Sequence, residues 1–147
     1  NLSEKEYAKL KRIVEISREG AHTLKEIPEI ASIYFEDEFE LPVVEEGMNK
    51  KERKSVEKLR SSLETEIGKK SIELFIEKLN KFGEEITEEE AKTLLHELQD
   101  ELGEGPAAVI MPLRAVITGK ARGADLYTVI AVIGKERTLK RIHNIIK

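Results

Sequence analysis

The 147-residue chain predicts an all-α fold. Three observations carry that expectation. Apolar residues recur at steps of three and four along most of the chain, the period of an amphipathic helix. Ser or Thr stands three residues ahead of Glu at Ser3–Glu6, Thr23–Glu26 and Thr87–Glu90. That is the spacing of a capping box, in which the hydroxyl takes a free first-turn amide and the carboxylate reaches back. Glycines 20, 68, 83, 103, 119 and 134 close the periodic stretches.

The elements follow in order. After Ser3, the residues Tyr7, Leu10, Ile13 and Val14 form an apolar stripe that runs to Gly20. The Thr23 box opens a short helix that Pro28 interrupts or restarts; Ile30, Ile33, Tyr34 and Phe35 would bury one face. Residues 36–49 break the period. Glu36, Asp37, Glu38 and Glu40 cannot all be buried, and Pro42 and Gly47 punctuate the stretch, so it reads as a connection with Phe39, Leu41, Val43 and Val44 tucked inward. It is the best internal boundary. Asn49, with Glu52, caps a helix whose stripe is Val56, Leu59, Leu63 and Ile67, ended by Gly68. Ile72, Phe75, Ile76, Leu79 and Phe82 form the next, closed by Gly83; Ala91, Leu94, Leu95, Leu98 and Leu102 form another, closed by Gly103. Short Gly-containing turns imply antiparallel neighbours.

Residues 107–118 (AAVIMPLRAVIT) and 126–133 (LYTVIAVI) are apolar almost all round. Their β-branched content makes strands conceivable, and Pro112 removes one amide donor. The alanines, the glycine stops and the helical neighbourhood favour buried helices. A last helix over 136–146 carries Leu139, Ile142, Ile145 and Ile146 on one face, and Arg137, Lys140, Arg141 and Lys147 elsewhere.

Charge is unevenly spread. Residues 1–103 hold 17 basic and 26 acidic side chains, whereas residues 104–147 hold 8 basic and 3 acidic, within a net charge of −4. A basic end on an acidic body points to a local polyanion contact. The 26 Glu and 17 Lys against one Gln and no Cys also fit a thermophile source. No apolar run reaches the roughly 18 residues of a membrane span, and no signal-peptide pattern opens the chain. It begins at Asn1, which suggests a piece of a longer protein.

The search for chemistry is mostly exclusion. No cysteine is available as nucleophile or metal ligand. His22, His96 and His143 stand far apart without ligand spacing; His96 reads as a half-buried polar residue. No serine has a nucleophile-elbow context, and GEGP at 103–106 lacks the Lys-Ser/Thr of a phosphate loop. The chain is expected to catalyse nothing alone.

One stretch stands out: RAVITGKARGADLY, residues 114–127. Arg114 lies in an apolar segment, where a guanidinium needs a partner or a surface at which to meet an acceptor. Its planar fork suits a base edge or a phosphate. Thr118-Gly119 ends the helix, and Lys120, Arg122 and Gly123 make a basic, glycine-flanked loop with open amides. Ala124 and Leu126 offer an apolar surface for an unstacked base. In the competing reading Arg114 pairs with a carboxylate of the acidic half, and Lys120 and Arg122 belong to a solvated turn.

The segment MPLRAVITGKARGADLYTVIAVIGKERTLKRI closely resembles the C-terminal part of bacterial-type glutamyl-tRNA synthetases. The matching elements are Pro112-Leu113-Arg114, Thr118-Gly119, Leu126 and Gly134-Lys135-Glu136-Arg137; residues 21–39 resemble the start of that family's anticodon-binding region. The resemblance implies two packed helical subdomains, residues 1–48 and residues 49–147, the second bearing a basic anticodon-contacting hairpin. It implies tRNA as partner, of glutamate or glutamine isoacceptors, in the cytoplasm and away from membranes. It further implies a class I catalytic domain in the same polypeptide that uses ATP and magnesium; the fragment itself would need no cofactor. Neither His-x-Gly-His nor Lys-Met-Ser-Lys-Ser occurs here. In the family, the arginine matching Arg114 contacts the anticodon loop and residues matching 123–126 touch its bases. Lys120 and Arg122 are added on charge and position.

One departure matters. Members that discriminate the two isoacceptors place an arginine beside the aromatic pair equivalent to Tyr34-Phe35, to read the third anticodon base. Here Glu36 and Asp37 stand there, followed by Glu38. Acidic groups cannot donate to a base oxygen, so relaxed or altered reading of that base is expected. The alternative from another class is a helical protein-interaction module that binds no RNA.

Overall fold

The computed structural model describes residues 3–36 and 39–146, with side chains for all of these except Glu29 and Ile30. They fold as helices with no strand among them. In chain order these are α1 (Glu4–Gly20), α2 (Glu26–Ala31), a 3₁₀ turn (Ser32–Tyr34), α3 (Lys50–Ser62), α4 (Glu66–Leu79), α5 (Glu88–Leu102), α6 (Pro106–Ile117) and α7 (Leu126–Ile146). The strand alternative for 107–118 and 126–133 is thereby excluded.

Helix starts follow the capping chemistry. Around α1 both halves of the box form: Glu6 N–H donates to Ser3 Oγ at 3.2 Å and Ser3 N–H to Glu6 Oε2 at 2.8 Å. The Thr87–Glu90 box ahead of α5 is likewise complete. Asn49 accepts from the Glu52 amide at 2.8 Å and opens α3. The Thr23 box forms only in part. Glu26 reaches back to the amides of His22 and Thr23, but α2 starts two residues later than expected, with Lys25 as an N-cap lacking a side-chain bond.

Gly68 is not a stop. It lies buried in the first turn of α4, where Thr65 is the N-cap and accepts the Gly68 amide at 2.9 Å. A Cβ at Gly68 would stand 1.9 Å from the Ser62 carbonyl oxygen. The glycine therefore lets α3 turn sharply into α4, a role that its position at the end of a periodic stripe disguises.

The centre of the molecule is α6, which packs against α3, α4, α5 and α7. This explains its apolar circumference: a helix with neighbours on every side has no solvent face. Val109, Leu113, Val116 and Ile117 of α6 meet Phe75 and Leu79 of α4, Leu94 and Leu98 of α5, and Val129, Ile130 and Ile142 of α7 in one cluster. Ile13 and Ile16 of α1 and Tyr34 join it.

The face of α1 differs from expectation. Ile13, Ile16 and Ser17 are buried, whereas Tyr7, Leu10 and Val14 are exposed, Tyr7 by 63%. Phe35, Val43 and Val44 are also exposed. The exposed stripe of Tyr7, Leu10 and Val14 thus lies off the face that Ile13 and Ile16 turn to the core. His96 is exposed, not half-buried.

α7 is broken where glycine predicts it. Gly134 takes φ 84 and ψ 171, a region closed to other residues, and two helical runs meet there. The amides that follow are held from a distance: Lys135 N–H donates to the Glu84 carbonyl at 3.3 Å and Glu136 N–H to the Glu84 carboxylate at 3.2 Å.

Candidate nucleic-acid interface

The loop from Thr118 to Asp125 is built around Arg114. As α6 ends, the amides of Thr118 and Gly119 both donate to the Arg114 carbonyl, at 2.8 and 2.9 Å. The Thr118 hydroxyl donates to the same carbonyl at 2.9 Å and accepts the Lys120 amide at 3.1 Å. Arg114 then folds its side chain back under the loop. Nε donates to the Lys120 carbonyl at 3.1 Å and Nη1 to the Ala124 carbonyl at 3.0 Å. One planar fork thus ties the two ends of the loop together. Gly119 and Gly123, at φ 70 and φ 143, provide the backbone turns that aim both carbonyls inward.

Neither sequence reading of Arg114 describes this arrangement. The residue is 8% exposed, and its hydrogen-bond partners are backbone carbonyls rather than a carboxylate. Burial pushes its pKa below the ordinary arginine value, with Asp125 and Tyr34 opposing. Nη2 makes no hydrogen bond to a described residue; it lies 3.3 Å from where a side chain on Gly123 would begin. A bare glycine there leaves that donor approachable.

The remaining expected residues divide by exposure. Lys120, Arg122 and Gly123 are exposed, and Ala124 is half-buried. Thr118 is buried and occupied with the loop backbone. Leu126 is 3% exposed and sits in the core, so the apolar platform expected of it is not offered at the surface. Gly119 packs directly on Phe39: an added Cβ would lie 2.8 Å from that ring. Phe39 brings the acidic connection beside the loop. Glu36, Phe39 and Glu40 share a cleft of about 170 Å³ with Thr118, Gly119 and Lys120. Glu36 is exposed; Asp37 and Glu38 lie outside the described residues.

The basic C-terminal end requires a larger correction. Arg137 Nη2 donates to the Tyr34 carbonyl at 2.7 Å, and Arg141 Nη1 to the Ile117 carbonyl at 3.1 Å. Lys135 Nζ donates to the carbonyls of Asn80 and Phe82 at 3.2 and 2.8 Å. Arg141, read from sequence as part of a polar face, is 1% exposed. With Arg114, four of the eight cations in 104–147 are engaged by backbone carbonyls at helix ends and turns. Such cations neutralise helix C-termini. Lys120, Arg122 and Lys140 are the exposed cations of that segment; Lys147 lies outside the described residues.

Sequence reasoning missed α3. Its segment KKERKSVEKLRSS holds six Lys or Arg against two Glu, within a half summed as acidic. A groove of about 550 Å³ separates it from the loop, lined by Lys51, Ser55, Val56 and Leu59 on one side and Lys120 and Arg122 on the other. The run at 50–54 was the available signal, hidden by averaging over 103 residues.

The all-helical body thus presents a cation-bearing, glycine-turned loop at its surface. The chain belongs to the anticodon-binding domain family: the profile described as "Anticodon binding domain" matches residues 2–146. It is 60% identical to the glutamate–tRNA ligase of Fusobacterium nucleatum over 148 aligned residues, covering all of this chain and 29% of that protein. The glutamate–tRNA ligases of Carboxydothermus hydrogenoformans and Aquifex aeolicus are 37% and 32% identical, each over 99% of this chain and 27% of their own length. The chain therefore spans less than a third of the curated relatives it matches. No solved structure matches it.

Proposed function

We propose that this chain holds the anticodon loop of a tRNA for a glutamate–tRNA ligase of which it forms part. The observation that carries the reading is the loop at 118–125: two exposed cations, Lys120 and Arg122, and open glycine backbone, all on an arginine scaffold. Lys120 and Arg122 neutralise phosphate. Gly123, Ala124 and the open Nη2 of Arg114 face the unstacked bases. Thr118 and Leu126 contribute from below, by fixing the loop's ends. Residues 1–48 and 49–147 act as two subdomains of this one unit.

The chemistry, joining glutamate to tRNA with ATP and magnesium, falls to a catalytic domain in the same polypeptide, and the setting is the cytoplasm. Specificity follows from the acidic edge of the Phe39 cleft. Glu36 lines that cleft, and Asp37 follows it in the sequence; acidic groups accept hydrogen bonds where a discriminating enzyme donates them. The third anticodon base is then read loosely or differently, and the enzyme charges glutamine tRNA with glutamate as well as, or instead of, glutamate tRNA. A strong preference for glutamate tRNA in charging assays overturns this point alone.

A gel shift with an anticodon stem-loop at two salt concentrations tests the main reading. Binding that weakens with salt is expected, since phosphate neutralisation dominates affinity. Arg114→Ala should weaken binding and blunt base preference; Lys120→Ala should weaken it evenly across sequences. Equal binding by wild type and the Arg114 variant, or no shifted band at all, overturns the reading. In the second case the exposed Tyr7–Leu10–Val14 stripe would favour a protein-interaction module.

A further inference from the structure

We infer that the groove between α3 and the 119–122 loop is a second RNA-contact site, which holds the sugar–phosphate strand leaving the anticodon loop. The inference rests on the proposed tRNA reading and adds a surface on a different helix. Its basis is where uncommitted positive charge lies. Four C-terminal cations are bound to backbone carbonyls, so the charge excess of that end does not translate into a basic surface.

On α3 the situation is reversed. Arg53 and Arg60 are engaged with the carbonyls of Met48, Leu41 and Pro42. Lys50, Lys51, Lys54 and Lys58 are exposed and have no hydrogen-bond or ion-pair partner among the described residues. Lys51, Ser55 and Lys58 follow at steps of four and three, which aligns them along one helix face. One acid, Glu52, also lines the groove, its Oε1 accepting from Asn49 Nδ2 at 3.0 Å; it faces the three cations Lys51, Lys120 and Arg122.

Across the groove stand Lys120 and Arg122, and the floor between is Pro42, Met48, Val56 and Leu59. Cations on both rims over an apolar floor suit a single strand: phosphates meet the rims and a base or ribose edge rests below. The volume of about 550 Å³ falls within the range of roughly 300–1,000 Å³ usual for ligand sites. Because Lys120 and Arg122 belong to loop and groove alike, a strand bound at the loop passes straight into the groove.

The test is RNA binding by the 147-residue chain and its variants, measured from 50 to 300 mM salt with a cognate anticodon stem-loop and one of scrambled loop sequence. Lys51→Ala and Lys58→Ala are each expected to weaken binding several-fold for both RNAs. Each should reduce the slope of log Kd against log salt by about 0.7, one phosphate contact on a single strand. Lys69→Ala, on a separate hollow beside Ile145 and Ile146, should leave affinity and slope unchanged. RNA should also shield Lys51 from an amine-acylating reagent while leaving Lys69 reactive. If Lys120→Ala weakens binding but the α3 variants keep wild-type affinity and slope, the groove is overturned and the loop reading stands. If loss in the α3 variants is confined to the cognate RNA, the groove reads bases and the phosphate role is overturned. If the wild-type chain binds neither RNA, both readings fall.

Discussion

Arg114 and Tyr34 show how far single residues depend on atoms that sequence does not display. An arginine in an apolar helix announces an acceptor, and the composition of the chain suggests a carboxylate. The acceptors are instead the carbonyls of Lys120 and Ala124, whose directions are set by the dihedrals of Gly119 and Gly123. Removing the guanidinium strands two carbonyls in a partly buried site. Arg114→Ala should cost about 3–6 kcal/mol, from two charge-assisted hydrogen bonds, and amide exchange at 120–124 should accelerate. Arg114→Lys should recover little of either, because an ammonium lacks the fork. Tyr34 presents the opposite case. Its hydroxyl is buried without a hydrogen-bond partner among the described residues, and burial pushes its pKa up to about 12. A pKa raised in the folded state means the unfolded chain ionises first. Stability is therefore full below pH 10 and declines as pH rises towards 12. Tyr34→Phe should raise the melting temperature and flatten its alkaline decline, both readable in thermal scans from pH 8 to 11.5.

At the scale of elements, much of the fold was legible. Ser3, Asn49 and Thr87 each place a helix start, because a cap is a local bond between residues three apart. The same rule misplaced α2: Glu26 reached back to two amides, but its own amide donates to the Thr23 carbonyl rather than to the Thr23 hydroxyl. Gly68 was misread for a physical reason. A glycine that ends a helix and one that admits a neighbouring carbonyl look alike until the chain is folded, and only the Ser62 oxygen distinguishes them. Gly68→Ala should therefore destabilise by about 1–3 kcal/mol through overpacking. Gly83→Ala, with open space around its Cβ position, should have far less effect. Denaturant melts of the pair measure the difference. The pattern of α6 was legible as buried but ambiguous in type, since a segment apolar on every side has no period to read.

Across the whole molecule, a polar node reinforces the packing of Ile13 and Ile16 that attaches α1 to the bundle. Arg12 Nη2 donates to Glu88 Oε1 at 3.0 Å, and the Thr128 hydroxyl donates to the same oxygen at 2.8 Å. These bonds join α1, α5 and α7. The Arg12 hydrogen bond, aided by Thr128, holds the Glu88 carboxyl below its ordinary value against the effect of burial. A lowered folded-state pKa gives stability that is present above the unfolded carboxylate value, near 4.3, and lost as pH falls through the folded one. Glu88→Gln should lower the melting temperature at pH 7 and narrow its gap from wild type by pH 3. Charge distribution was the least legible property at this scale. Linear sums placed the basic surface in the last 44 residues, whereas folding commits much of that charge to carbonyls and leaves the lysines of α3 outward.

Glu84 supplies from 52 residues away what Ser3 and Thr87 supply from three. Gly134, which precedes this stretch, has no side chain to cap it; the opening amides are satisfied by a carboxylate and a carbonyl of the α4–α5 connection. Its first turn is thus a long-range product, assembled only once that connection is in place. During refolding, pulse labelling should find amides of 91–102 sheltered from exchange before those of 138–146, and Glu84→Ala should widen the interval. The helical run after Gly134 would then be the last to close, completing the bundle as a latch does.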